Sequence, residues 1–133
     1  MPKTILLALG FFYALLAQAE IIVIDNAELL RLQAKGVSVV DVRTPEEWRE
    51  TGVIKGARLM TFSFSGGFDK AAWVKQLQQA SKPGEPVVLI CRSGRRSTAV
   101  AEYLESQSAK TKIYNANGGM NAWKAEGRPV VAP

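Results

Sequence analysis

The chain has 133 residues, of which 47% are hydrophobic and 22% charged, and these values predict one folded domain and exclude extensive disorder. Its net charge of +5 is spread along the sequence without a basic run, so we expect small anions as ligands and no nucleic acid. Histidine is absent and cysteine occurs once, which excludes Cys-His and Ser-His catalysis, histidine-ligated metals, an intramolecular disulfide and a cysteine-rich zinc site. The sequence indicates no bound cofactor of any kind.

The first 19 residues have the pattern of a secretory signal peptide. Lys3 precedes an apolar stretch from Ile5 to Leu16, and Ala17-Gln18-Ala19 is a small-x-small cleavage site. We therefore predict cleavage after Ala19 and a mature protein that works in the periplasm or outside the cell, with no stable membrane association. The apolar stretch is shorter than the roughly 20 residues of a membrane span, although an uncleaved anchor remains the alternative.

Residues 20–133 are predicted to form one domain in which short strands alternate with helices. Apolar or β-branched runs predict five strands, over residues 21–24, 37–42, 58–61, 87–90 and 112–115. Capping residues and helical spacing predict helices over about 25–35, 44–52, 69–80 and 96–106, and a short one between Gly119 and Gly127. In the first helix we expect Leu29, Leu30 and Leu32 to form the buried face. The alternation predicts an α/β fold with a central parallel sheet of about five strands and helices on both faces.

One stretch combines the only cysteine with a cluster of basic residues. The apolar strand over 87–90 ends at Cys91, and Arg92-Ser93-Gly94-Arg95-Arg96 follows before a helix begins. Backbone N–H groups in such a turn converge on an anion, and the helix end and the arginines favour a thiolate over a thiol. We therefore predict a nucleophilic Cys91 with an anionic substrate, and the alternative is a small, inert core residue.

A second pattern ends another predicted strand. The run over 37–42 ends in Asp41-Val42-Arg43, and carboxyl ends of parallel strands share one rim of the sheet, where ligands bind. We expect Asp41 and Arg43 to form an internal ion pair that orders this rim, with direct substrate contact by Arg43 as the alternative.

Five ordered motifs together resemble a known family. They are Asp41-Val42-Arg43, Glu47-Trp48, Gly52-Val53-Ile54-Lys55-Gly56-Ala57, Cys91-Arg92-Ser93-Gly94-Arg95-Arg96-Ser97 and Gly118-Gly119-Met120-Asn121-Ala122-Trp123. In this order they resemble a single-domain rhodanese, a sulfurtransferase with a three-layer α/β domain. With the predicted signal peptide, the chain is similar to the small periplasmic rhodaneses of bacteria.

The resemblance implies a reaction through a covalent intermediate. Cys91 would attack the outer sulfur of thiosulfate or a related donor, release sulfite and carry a persulfide, which cyanide or a thiol would then discharge. The loop formed by Arg92, Ser93, Gly94, Arg95 and Arg96 would wrap the persulfide, and its three arginines would bind the anionic donor. Asp41, Arg43 and Ser97 would support this loop.

Two other functions remain open from the sequence. A cysteine phosphatase or arsenate reductase uses a similar loop, but it needs an arginine six positions after the cysteine, where this chain has Ser97. The other is a carrier that passes its persulfide to a protein partner, and this function shares the first half of the reaction.

Overall fold

The computed structural model describes residues 19–110 and 112–133. Its strands are β1 Glu20–Ile24, β2 Ser38–Asp41, β3 Arg58–Leu59, β4 Val87–Ile90 and β5 Lys112–Ala116. Its helices are α1 Asn26–Ala34, α2 Pro45–Thr51, α3 Lys70–Ala80, α4 Arg95–Ser106 and α5 Gly119–Ala125. The predicted signal peptide, apart from its last residue, lies outside the described residues. Within the described ranges, no helix has both the length and the apolar character needed to cross a membrane.

The five strands form one parallel sheet in the order β1-β5-β4-β2-β3. The central strand β4 is fully buried, because it has neighbours on both edges and helices on both faces. Asp41 at the end of β2 is in register with Ile90 at the end of β4, and Leu89 is in register with Asn115 on β5. Consequently, the residues that follow β2 and β4 emerge side by side at one rim of the sheet.

Alternate residues of the central strands supply two cores, one on each face of the sheet. Leu89 and Cys91 face the first core, to which α3 contributes Trp73 and α4 contributes Leu104. The second core contains side chains from β4, α1 and α5: Val88, Ile90, Leu29, Leu32, Met120 and Trp123. The predicted α/β fold with helices on both faces of a parallel sheet is thus confirmed, and the layers number three.

Two local predictions were wrong. Leu30 is 40% exposed, whereas Leu29 and Leu32 are buried, because the helical rotation of about 100° per residue turns Leu30 away from the sheet. The predicted strand over 58–61 has only two strand residues, Arg58 and Leu59. Hydrogen bonds to the β2 side nevertheless continue, from the Met60 N–H to the Asp41 carbonyl at 3.0 Å.

Candidate active site

Cys91 lies at the point where β4 turns into α4. The residue is completely buried, and its side chain faces the core beneath α3 and α4. Arg92, Ser93 and Gly94 form the turn, and α4 begins at Arg95. Gly94 is the N-cap of α4 with a φ of 101°, a left-handed conformation that glycine adopts without the strain of a side chain. The predicted strand, turn and helix around the thiol are therefore present.

The turn after Cys91 is held in place by the start of α5. The backbone N–H of Met120 donates to the Cys91 carbonyl at 2.8 Å, and the N–H of Asn121 donates to the Arg92 carbonyl at 3.0 Å. In a trans peptide the N–H points opposite to the C=O, so the N–H groups of Arg92 and Ser93 face away from α5 and into the turn. These two bonds orient the turn as an array of hydrogen-bond donors around the sulfur.

The Cys91 sulfur is an acceptor within this array. The Gly94 N–H donates to Sγ at 3.0 Å, and the Ser97 hydroxyl oxygen lies 3.3 Å from Sγ. Burial raises the pKa of the Cys91 thiol, but hydrogen bonds from the Ser97 side chain and from the backbone of Ser97, Gly94 and Ser93 outweigh it and leave the pKa below its ordinary value. The loop thus favours the thiolate without a histidine as base.

The three arginines of the loop differ in their surroundings. Arg96 forms two hydrogen bonds of 2.6 Å with the carboxylate of Glu47 on α2, which keeps the pKa of Glu47 below its ordinary value. Arg92 and Arg95 are exposed, and neither has a carboxylate partner among the described residues. Their guanidinium groups are therefore available to a dissolved anion, whereas that of Arg96 is already neutralised.

A recess lies on each side of the loop. The first, of about 300 Å³, lies between α2 and α5 and is lined by Arg92, Lys124 and Glu50 among others. The second, of about 350 Å³, lies beside β5 and is lined by Arg95 and Asn115 among others. Each recess thus places one exposed loop arginine beside space large enough for a small anion.

Asp41 and Arg43 form the expected ion pair, and both side chains are almost completely buried. Arg43 Nη2 lies 2.8 Å from Asp41 Oδ2, and Nε lies 3.0 Å from Oδ1. The same guanidinium donates to Thr51 Oγ1 at 2.7 Å and to the Gly52 carbonyl at 3.0 Å. The guanidinium of Arg43 thus bonds to acceptors on β2 and at the end of α2. The ion pair therefore holds α2, and with it Glu47, against the rim of the sheet.

Sequence reasoning missed three contributors to the site. Glu47 was noted only within the Glu47-Trp48 motif, and nothing in the spacing links it to Arg96, which lies 49 positions away. Asn115 contacts Ser97 at 2.6 Å, and the available signal was a polar residue near the carboxyl end of a predicted strand. The N–H groups at the start of α5 hold the cysteine loop, and Gly118-Gly119 marked that helix without indicating its target.

Comparison with known proteins places the chain in a family. The model of the rhodanese-like domain matches residues 25–126, a range that includes the cysteine loop and all five helices. The chain belongs to the rhodanese-like domain family. The resemblance noted in the sequence is thereby confirmed for the family and for the fold.

Several relatives of the chain are named as sulfurtransferases. The chain is 33% identical over 113 residues to "Sulfurtransferase" of Allochromatium vinosum, with 83% of this chain and 94% of the relative covered. It is 24% identical over 107 residues to "Thiosulfate sulfurtransferase GlpE" of Vibrio cholerae, with 80% and 91% covered. Sulfur transfer is therefore the general activity of this rhodanese, and it requires a sulfur donor and a sulfur acceptor as substrates.

Solved structures agree with the fold. A rhodanese-like domain protein from Staphylococcus aureus is 29% identical and superposes with a TM-score of 0.60. The match covers 83% of this chain and 98% of the other. Within residues 19–110 and 112–133, no group of three or more His, Cys, Asp and Glu side chains is placed to hold a metal ion.

Proposed function

We propose that this rhodanese is a thiosulfate sulfurtransferase that carries sulfur as a persulfide on Cys91 and uses no other cofactor. The observation that supports this most strongly is the buried sulfur held by the Gly94 N–H at 3.0 Å and by Ser97 at 3.3 Å. Such donors stabilise a soft sulfur anion in both of its forms, the thiolate and the persulfide. The loop therefore suits a reaction in which negative charge stays on sulfur throughout.

The proposed reaction has two displacements. In the first, the Cys91 thiolate attacks the outer sulfur of thiosulfate, a new S–S bond forms, and sulfite leaves with the electron pair of the old bond. In the second, cyanide attacks the outer sulfur of the persulfide, thiocyanate leaves, and the thiolate is restored. Neither displacement requires a proton to be added or removed, which fits a site without a general base.

In the second displacement, a thiol or a protein could take the place of cyanide as the sulfur acceptor. Cys91 is buried, but a persulfide extends the reactive sulfur beyond the thiol and toward the exposed turn at Arg92 and Ser93. A small thiophile such as cyanide or a low-molecular-weight thiol is the acceptor class that we propose. A protein acceptor would have to present its thiol on a protruding segment.

We also propose that the protein works in the periplasm or outside the cell. The support is the signal-peptide pattern of residues 1–19, together with the single cysteine, which has no intramolecular disulfide partner. Amino-terminal sequencing of the protein from the periplasmic fraction is expected to begin at Glu20.

The proposed function is tested by loading the protein with sulfur. Incubation of the mature protein with thiosulfate is expected to add the mass of one sulfur atom and to release one sulfite per chain. Peptide mapping is expected to place the added sulfur on Cys91. A protein that gains no sulfur but hydrolyses an aryl phosphate would overturn the proposal in favour of the phosphatase alternative.

The exposed arginines are expected to bind the sulfonate end of the donor. The double substitution Arg92→Gln/Arg95→Gln should raise the KM for thiosulfate by about tenfold or more, since one charge-assisted hydrogen bond contributes about 1.5–3 kcal/mol. Lys35→Gln/Lys112→Gln is the matched control, because it also removes two exposed positive charges, where α1 ends and β5 begins on the opposite rim. Steady-state kinetics measures the change, and an unaltered KM would mean that the backbone alone holds the donor.

A further inference from the structure

The Ser97 hydroxyl has more partners than hydrogens. Its oxygen lies 2.6 Å from Asn115 Oδ1, 3.2 Å from the Gly94 carbonyl oxygen and 3.3 Å from Cys91 Sγ. A serine hydroxyl donates a single hydrogen, and the nearest acceptor is Asn115 Oδ1. While the hydrogen points to Asn115, Ser97 can only accept a hydrogen bond from Cys91, an arrangement that suits the protonated thiol.

The hydrogen-bond chain continues from Asn115 back to the loop. Asn115 Nδ2 donates to Thr98 Oγ1 at 2.8 Å, and Thr98 Oγ1 donates to the Gly94 carbonyl at 2.7 Å. With the thiol as first donor, every bond in this chain runs in one direction, from Cys91 through Ser97, Asn115 and Thr98 to Gly94.

The three bonds that link Cys91, Ser97, Asn115 and Thr98 can reverse with the backbone in place, whereas the Gly94 carbonyl has no hydrogen to donate and loses the Thr98 hydroxyl. If the Asn115 amide turns over, Nδ2 donates to Ser97 Oγ and Oδ1 accepts from Thr98, because the two ends of an amide are nearly equal in size. The Ser97 hydroxyl is then free to donate to Sγ. The Gly94 carbonyl retains the Thr98 N–H at 3.1 Å, so it does not lose its last partner.

We propose that Asn115 is a positioning residue for Cys91. When the thiol loses its proton, the side-chain amide of Asn115 turns over, and the Ser97 hydroxyl is then free to donate to the sulfur. The thiol proton goes to solvent, and no proton is passed along the chain. Asn115 is 5% exposed and Ser97 is fully buried, so water does not readily replace either bond. Thr98 is exposed, and solvent can take up its hydroxyl in either direction.

Charged groups near the sulfur also act on the ionisation of Cys91, and they are separate from the chain of neutral hydrogen-bonding groups. Arg96 faces Cys91 from α4, and Glu47 on α2 neutralises it. Asp41 faces the same region from the end of β2 and is paired with Arg43. Arg92 and Arg95 belong to the exposed loop. Neither β5 nor α5 adds a charge between Asn115 and the sulfur, so the Asn115 amide itself is the variable element on that side.

The inference is tested by Asn115→Asp, since a carboxylate accepts but does not donate and keeps the Ser97 hydroxyl turned away from the sulfur. Thiolate absorbance is expected to show a pKa of Cys91 raised by about one unit, and alkylation at a fixed pH below this pKa is expected to slow about tenfold. Asn117→Asp is the matched control, because it adds the same charge at an exposed residue two positions further on. It should give less than half of the shift.

A double-mutant cycle separates the hydrogen-bond chain from simple charge repulsion. In a Ser97→Ala background, Asn115→Asp is expected to add little to the pKa of Cys91, because the connecting hydroxyl is gone. An equal shift in both backgrounds, or no shift in the wild-type background, would overturn the inference.

The wild-type protein provides a measurement that needs no substitution at Asn115. The side-chain NH2 signals of Asn115 in an amide NMR spectrum are expected to titrate with the same midpoint as Cys91, and to lose most of this titration in Ser97→Ala. Constant signals across the titration would contradict the inference. The inference rests on the proposed role of Cys91, but its tests measure the ionisation of the thiol and not sulfur transfer. A protein that takes up no sulfur yet shows these shifts would therefore refute only the proposed function.

Discussion

Cys91→Ser is expected to abolish sulfur uptake and thiosulfate-dependent thiocyanate formation while leaving the fold intact. The serine hydroxyl has nearly the shape of the thiol and can accept the Gly94 N–H, so the loop keeps a partner at this position. A hydroxyl stays protonated where the thiol ionises, and it forms no persulfide. Intact mass after incubation with thiosulfate, together with sulfite release, measures the loss.

Ser93→Ala is the control for Cys91→Ser. Ser93→Ala changes an exposed loop side chain whose backbone, not its hydroxyl, faces the thiol, and it should retain sulfur uptake. Because the chain has one cysteine, residual uptake by Cys91→Ser at the wild-type rate would show that sulfur is not carried on a cysteine at all. Thermal unfolding at the wild-type temperature would confirm that the variant is folded.

The order of the secondary structure was predictable because the fold is encoded by local signals. Val87–Ile90 is a short apolar run bounded by a proline and by the polar loop, which is how a doubly covered parallel strand appears in a sequence. Asp69 accepts the Ala72 N–H at 2.9 Å, as expected of an N-cap residue. The error at Leu30 arose because three leucines lie within four positions, and a helix turns only some of them toward the sheet.

The site was only partly predictable, because its contacts join residues that are distant in the sequence. The position of Cys91 at a strand end was predictable, since the apolar run and the loop composition are local. The Glu47–Arg96 pair and the Ser97–Asn115 bond depend on how α2, α4 and β5 pack together, and residue spacing in the sequence does not predict these tertiary contacts. For this reason the three loop arginines appeared equivalent in the sequence, whereas the structure pairs one and leaves two exposed.

The rim of the sheet explains how a chain without histidine favours a thiolate at Cys91. The Asp41–Arg43 pair fastens α2 to the sheet, and α2 presents Glu47 to Arg96 in the first turn of α4. A cation at the start of a helix is disfavoured by the helix dipole, and Glu47 offsets this cost while keeping Arg96 near the sulfur. From the other side, α5 holds the two carbonyls that aim the loop N–H groups inward.

Gly119→Ala is expected to lower kcat/KM for thiosulfate by about 100-fold, the scale of a 1 Å displacement of a reacting group. An added Cβ at position 119 would overlap the Cys91 carbonyl oxygen and lie 2.7 Å from the carbonyl carbon and oxygen of Arg92. These are the backbone atoms that α5 holds, so the clash cannot be relieved by a side-chain rotation. The loop must move, and its N–H groups then no longer converge on the sulfur.

Gly127→Ala separates the effect of the clash from that of backbone strain. Gly119 and Gly127 have φ values of 55° and 68°, so an alanine is strained at both positions, but a Cβ at Gly127 has nothing within 4 Å. We expect Gly127→Ala to lower the free energy of unfolding by about 1 kcal/mol with unchanged kcat/KM, and Gly119→Ala to lower it by about 3 kcal/mol. Denaturant unfolding and steady-state kinetics on the same samples measure both quantities. If the two variants lose activity equally, strain in α5 and not contact with the cysteine loop governs the site.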